Sequence, residues 1–163
     1  RPDMAYKTSF IEATQEFITE GDGGFTWKPE MLDRHFDEYV QVLLEHETDP
    51  QAGFVPQTDY WLIVNGDTYA GEIHIRHHLN DSLKRFGGHI GYRVRPSLRR
   101  KGYGTEMCRL AIIEARKMGI GRILITCDDT NYGSQKIIEA NGGVLYDKVD
   151  NGRGVLTRRY WIG

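Results

Sequence analysis

Residues 99 to 105 read Arg99-Arg100-Lys101-Gly102-Tyr103-Gly104-Thr105, three cations running into a glycine-punctuated turn. Such a segment suits a phosphate. Glycine lets the backbone come close to a bulky anion, and a helix that begins there offers unpaired N–H groups and the positive end of its dipole. The chain carries 21 Lys and Arg against 23 Asp and Glu, a formal net charge of −2. The basic run is therefore a local feature that implies a local anion, with no general pull toward nucleic acid or anionic lipid. Two phosphate loops are disfavoured. A Walker A loop needs Lys and then Ser or Thr directly after its last glycine, which Gly104-Thr105 does not supply, and a dinucleotide fingerprint needs a third glycine where Met107 stands. By itself the turn is also compatible with an ordinary solvated helix entry.

The elements that position this turn follow from hydrophobic periodicity. Thr8 to Thr19 places Phe10, Ile11, Ala13, Thr14 and Phe17 at helical spacing, and the cluster Gly21-Asp22-Gly23-Gly24 ends it. Pro29 opens a second helix, whose apolar stripe from Met31 to Leu44 runs on until Asp49-Pro50. Tyr60 to Val64 and Tyr69 to Ile75 form a hairpin around Asn65-Gly66-Asp67. His77 to Arg85 is polar, a loop or short helix, before the alternating strand His89 to Arg95, which stops at Pro96. The basic turn then opens an amphipathic helix, Tyr103 to Met118, followed by strand Arg122 to Cys127; strand, crossover helix and strand make a parallel βαβ unit. Ser134 to Ala140 is a short helix stopped at Asn141-Gly142-Gly143, and Val144 to Val149 with Val155 to Trp161 is a closing hairpin.

In this order the residues resemble a known family. Arg99-x-x-Gly102-x-Gly104 after a strand ending in Val94-x-Pro96 looks like the acetyl-CoA motif of the GNAT-type N-acetyltransferase superfamily. A second element, Asn131-x-x-Ser134, follows the next strand where the family shows Asn-x-x-Ala/Ser. The likeness covers about residues 60 to 150. It implies a single α/β (α+β) domain over residues 1–163, with a mixed, mostly antiparallel sheet, a central parallel βαβ unit, a splayed strand pair, and helices on both faces. It also implies an acyltransferase that uses acetyl-CoA as co-substrate and acetylates a primary amine of a small molecule or peptide. The alternative is a non-catalytic acyl-CoA-binding or sensing module.

Carried over by position, the resemblance puts the N–H groups of Arg100, Lys101, Gly102, Tyr103, Gly104 and Thr105 on the pyrophosphate, with Arg99 and Arg100 supplying charge. The pantetheine arm would pair with the backbone of Tyr92 to Arg95, and Val94 N–H would hold the thioester oxygen as it becomes an oxyanion. Asn131 would meet a pantetheine amide, or serve only as a helix cap, and Ser134 would sit near the sulfur end as a catalytic candidate or cap the helix. The family's usual proton donor is a tyrosine seven residues after the asparagine, and Ile138 stands there. Candidate bases are Glu72 and His74, which share a strand face, and His89. The acidic, aromatic stretch with Glu45, Glu47, Asp49, Phe54 and Tyr60 would suit a cationic acceptor.

The remaining composition sets bounds. At 163 residues the chain suits one domain. Cys108 and Cys127 lack metal or redox spacing and read as reduced core residues. His74, His77 and His78 do not form a metal site, because adjacent strand residues point to opposite faces. No membrane span or secretion signal is evident, which reads as a cytoplasmic protein. No nucleic-acid partner is expected. The closing hairpin, with Tyr160, Trp161 and Ile162, offers an edge for a possible homodimer.

Overall fold

Phe10, Ala13, Thr14 and Phe17 form the buried side of helix α1 (Lys7–Thr19). The computed structural model describes residues 1–21, 27–152 and 154–163, so the stop expected at Asp22 to Gly24 lies outside the described residues. The second helix is divided where one continuous helix is expected. It runs as α2 (Pro29–Arg34) and α3 (Phe36–Glu45), with His35 between them at φ −132°, ψ 40°. The break turns Leu32, Phe36 and Val40 toward one aromatic core with Phe10, Phe17, Trp61 and Tyr69. Rings there meet stacked, tilted or edge-on, with Phe10 stacked on Trp61 at 4.7 Å.

Six strands follow the sequence pattern: β1 (Gln57–Val64), β2 (Thr68–Arg76), β3 (Ile90–Val94), β4 (Ile123–Asp128), β5 (Val144–Asp150) and β6 (Leu156–Ile162). They make one sheet in the order β1-β2-β3-β4-β6-β5. Every pairing is antiparallel except β3 with β4, which is parallel and held in register at Ile90↔Ile125. Beyond that point the two strands separate.

Between β2 and β3 the chain forms a π-helical turn at Leu83–Gly87. Between β3 and β4 lies helix α4 (Tyr103–Lys117), which buries Met107, Cys108, Ala111 and Ala115 against Ile73, Ile75 and Ile90 of the sheet. It carries Glu106 in its first turn and Arg116 and Lys117 in its last, both favourable to its dipole. It ends at Gly119, φ +86°, with Gly119 N–H donating to Arg116 O and Ile120 N–H to Ala115 O. Helix α5 (Tyr132–Ala140) packs beside it, with Ile138 fully buried. Thus α4 and α5 cover one face of the sheet, and α1 to α3 the other.

Candidate active site

The end of β3, where it has parted from β4, and the helices α4 and α5 enclose a cleft of about 730 Å³. Its floor and walls come from Tyr92, Arg93 and Val94 of β3, from Leu98 to Arg100 and Gly102 to Thr105, and from Asn131, Gly133, Ser134, Lys136, Ile137 and Ala140 on and before α5.

The segment entering α4 is shaped for an anion. Among the described residues, no backbone N–H from Arg100 through Thr105 has a protein acceptor. Arg100 (φ +63°) and Gly102 (φ +85°) both lie in the left-handed region. Such alternation turns successive N–H groups toward one concavity, and a non-glycine residue held there is a strained conformation of the kind that collects at binding sites. Gly104 serves a different purpose. It is buried in the helix, and a Cβ there would lie 2.7 Å from Ile137 Cδ1, so its small size allows α4 and α5 to approach closely. Asn141 fixes that approach by donating to Thr105 O (3.2 Å) and Ile137 O (2.8 Å).

The cations divide into occupied and available groups. Arg99 lines the cleft, but its guanidinium donates to Glu20 (2.5 Å) and to Val94 O (3.1 Å). Arg95 is buried against α1, donating to Glu16 at 2.8 Å and to Ser9. The structure does not bring Arg95 to the cleft, and Lys101 does not line it either. Arg100 and Lys136 line the cleft with no acidic partner among the described residues. Lys136 has no counterpart in the sequence reading. It projects from α5 near Gly133, Ile137 and Ala140 at helical spacing, a signal readable once the wall-forming side of that helix is known.

Along β3, Arg95 N–H donates to Ala70 O on β2 at 2.8 Å. Strand alternation therefore turns the N–H of Val94 to the opposite side, toward the cleft. Across the cleft, Asn131 caps α5 by accepting from Ser134 N–H at 3.0 Å through Oδ1, which leaves its NH₂ group available. Ser134 Oγ lies 2.8 Å from the Tyr92 hydroxyl, so the two walls meet at a pair of hydroxyls. Burial raises the Tyr92 pKa well above that of a free phenol, with Ser134 opposing, and keeps it protonated.

The candidate bases lie elsewhere. Glu72 accepts from Arg93 at 2.6 Å and from the Tyr69 hydroxyl at 3.1 Å on the α1 side of the sheet. Arg93 itself lines the cleft, which puts Glu72 one side chain behind the wall. His74 is half-buried over Gly91, with Arg76 donating to its Nε2 at 3.0 Å, and desolvation pushes its pKa down to about 4. His89 is buried at the root of the parallel pair. Its N–H donates to Leu124 O, and Leu124 N–H donates to its Nδ1 at 3.0 Å. An acceptor nitrogen must be unprotonated, which fixes the Nε2–H tautomer. Burial and then Arg76 lower the His89 pKa to about 4. Neither His74, His89 nor Glu72 lines the cleft.

The acidic stretch before β1 borders a separate hollow of about 220 Å³ lined by His46, Pro50, Gln51, Phe54, Val55 and Gln57. There His46 Nδ1 lies 3.0 Å from Asp59, and Glu47 accepts from Thr58 Oγ1 at 3.1 Å. Among the described residues no cluster of His, Cys, Asp and Glu could hold a metal ion, and no helix is long and apolar enough to cross a membrane.

A family profile described as "Acetyltransferase (GNAT) domain" matches residues 5–144. The chain belongs to the GNAT acetyltransferase family. Solved structures agree in fold. A ribosomal L7/L12 α-N-protein acetyltransferase, RimL, in complex with coenzyme A is 17% identical with a TM-score of 0.68, over 99% of this chain and 90% of that one. The microcin C7 self-immunity acetyltransferase MccE in complex with acetyl-CoA and AMP gives 16% and 0.69, over 99% and 88%. A chimera of the Vibrio cholerae spermidine N-acetyltransferase SpeG with hSSAT gives 14% and 0.64, over 99% and 93%. No curated protein sequence matches the chain significantly.

A GNAT acetyltransferase is an acyltransferase that takes its acetyl group from acetyl-CoA. That co-substrate is long, thin and doubly phosphorylated at its bend. The cleft offers matching features in matching order: an unpartnered N–H row, two available cations, a strand edge with outward N–H, and a facing amide and hydroxyl.

Proposed function

We propose that this GNAT domain, taken as the whole of residues 1–163, transfers an acetyl group directly from acetyl-CoA to a primary amine of a small molecule or peptide. The observation that carries the reading is the unpartnered N–H row from Arg100 to Thr105, set on a cleft between β3 and α5. In this reading the N–H row grips the pyrophosphate, while Arg100 and Lys136 add charge. Arg99 acts mainly as a brace, holding α1 and the end of β3 in place. The β3 edge from Tyr92 to Val94 receives the pantetheine as an added strand, and the free amide NH₂ of Asn131 meets it from α5. Val94 N–H faces the place where carbonyl charge develops.

The chemistry needs no covalent enzyme intermediate. Acetyl-CoA supplies an activated acyl group on a tolerable thiol leaving group, so orienting the amine against it supplies much of the rate. Ser134 stands at the sulfur end of the cleft. The reading makes Glu72, behind Arg93, the nearest carboxylate to receive a proton through water, and makes His89 a brace rather than a base. Residence in the cytoplasm belongs to the same proposal, as does pairing of two copies along β5, whose Val144 and Tyr146 are 69% and 67% exposed. Light scattering tests the pairing.

The test of function is acceptor-dependent thiol release. Purified protein is mixed with acetyl-CoA and a panel of polyamines, amino sugars and peptides with free α-amines. Release above the acceptor-free rate with at least one amine is expected. Intact coenzyme A binding with no release from any acceptor would instead favour an acyl-CoA-binding module.

A further inference from the structure

Ile138, where the family's usual tyrosine is expected, is fully buried in the core and has no proton to give. A different phenol reaches the cleft from the opposite wall. Tyr92 lines the cleft from β3, and its hydroxyl lies 2.8 Å from Ser134 Oγ and 3.5 Å from Ser134 O. The pair spans the gap just past the last β3–β4 register contact at Ile90↔Ile125. Ser134 also draws the Cys127 pKa down, against the larger effect of burial. A tyrosine stands behind that serine.

We infer that Tyr92 is the proton source for the departing thiol, acting through Ser134 Oγ, and so does from a strand what the family's helix tyrosine does elsewhere. As the amine's electron pair forms the N–C bond and the C–S pair stays on sulfur, Ser134 Oγ gives its proton to that sulfur. Ser134 is refilled by the Tyr92 hydroxyl. Tyr92 recovers a proton from solvent, and the surplus proton on the new amide nitrogen returns to solvent, so the exchange balances. The inference rests on the acetyl-CoA reading of the cleft.

The surroundings keep Tyr92 protonated and leave no charged neighbour in its way. The titratable groups facing the Tyr92 ring are Cys108 of α4, Cys127 of β4 and Tyr160 of β6. Burial pushes the two thiols up to about 12 and about 11, and raises Tyr160 as well. All are neutral donors near neutral pH, so no negative charge competes for the Tyr92 proton and none of them is half-titrated between pH 6 and pH 10.

The test compares coenzyme A with desulfo-coenzyme A, which lacks only the sulfur, by titration calorimetry from pH 6 to pH 10. Donors aimed at the sulfur stabilise the thiolate, so the bound thiol titrates about one pH unit below an ordinary thiol near ~8.5. The affinity ratio of coenzyme A over desulfo-coenzyme A then rises about tenfold across the range in the native protein. Tyr92→Phe, with desulfo-coenzyme A binding unchanged, is expected to cut the rise to about threefold or less, and Tyr92→Phe with Ser134→Ala to remove it. A Tyr92→Phe curve that superimposes on the native one overturns the inference, and so does a flat native ratio. If Tyr92→Phe also weakens desulfo-coenzyme A, fluorotyrosine at position 92 keeps the shape with a stronger donor and must raise the ratio; an unchanged ratio overturns the inference. Failure of both ligands to bind the native protein would sink the acetyl-CoA reading itself, whereas tight binding of both with a flat ratio removes only Tyr92.

Discussion

His89 holds the root of the parallel strand pair only while it is neutral, and this makes stability depend on pH in a calculable way. Protonating Nδ1 destroys the acceptor that Leu124 N–H uses. His89 and His74 both have folded-state pKa values lowered to about 4, against about 6.5 in an unfolded chain. A depressed histidine pKa means that the unfolded state binds the proton first as pH falls. Stability contributed by the neutral ring is therefore complete above about pH 6.5 and declines through the window down to about pH 4. At pH 5 the difference amounts to about 2 kcal/mol per histidine, or about 4 kcal/mol for the two. His89→Asn keeps a side-chain oxygen near the Nδ1 position but cannot titrate. Urea unfolding at pH 8 and pH 5 is expected to show a native loss of about 4 kcal/mol and a loss in His89→Asn about half as large. Equal losses in the two proteins would refute the assignment. The same variant should turn over acceptor at pH 8 within a few-fold of the native rate, since a brace that still accepts from Leu124 leaves the cleft unchanged.

Two further substitutions test the cleft and its support. Arg100→Gly removes a charge and also a left-handed arginine. It is expected to leave the melting temperature unchanged or higher while weakening coenzyme A binding about tenfold; Lys136→Ala should weaken binding similarly, and Arg99→Ala should mainly lower stability. Gly91→Ala would put a Cβ 2.2 Å from His74 Nε2, a half-buried ring held by Arg76, and should destabilise the fold by about 1–3 kcal/mol, read as a lower thermal midpoint.

The parts legible in the sequence are those fixed by neighbours in the chain. Gly102 and Gly104, the cations before them and the apolar stripe of α4 declare a strand-to-helix anion site within about twenty residues. Asn131 does the same for the start of α5. The alternating runs of β1 to β6 give the sheet. What escaped depends on distant partners. Arg99 reads as a cofactor cation, and Arg95 as part of the strand that pairs with pantetheine, because nothing near them shows that Glu20 and Glu16, at the end of the first helix and within it, face them across the fold. Tyr92 and Ser134 meet only once β3 and α5 are placed on opposite walls. The division at His35 carries no glycine or proline to mark it; it follows from the need of Leu32 and Phe36 to enter the same core.

The central claim is that the N-terminal turn of α4 is the pyrophosphate grip of an acetyl-CoA site. Thr105 allows the most direct test, because it lines the cleft at the third residue of α4, where an acidic side chain favours the helix but would repel a phosphate. Calorimetric titration of coenzyme A into Thr105→Glu, with thermal melting alongside, is expected to show a fold at least as stable as the native one and an affinity reduced about a hundredfold. Undiminished coenzyme A affinity in a folded Thr105→Glu protein would contradict the account.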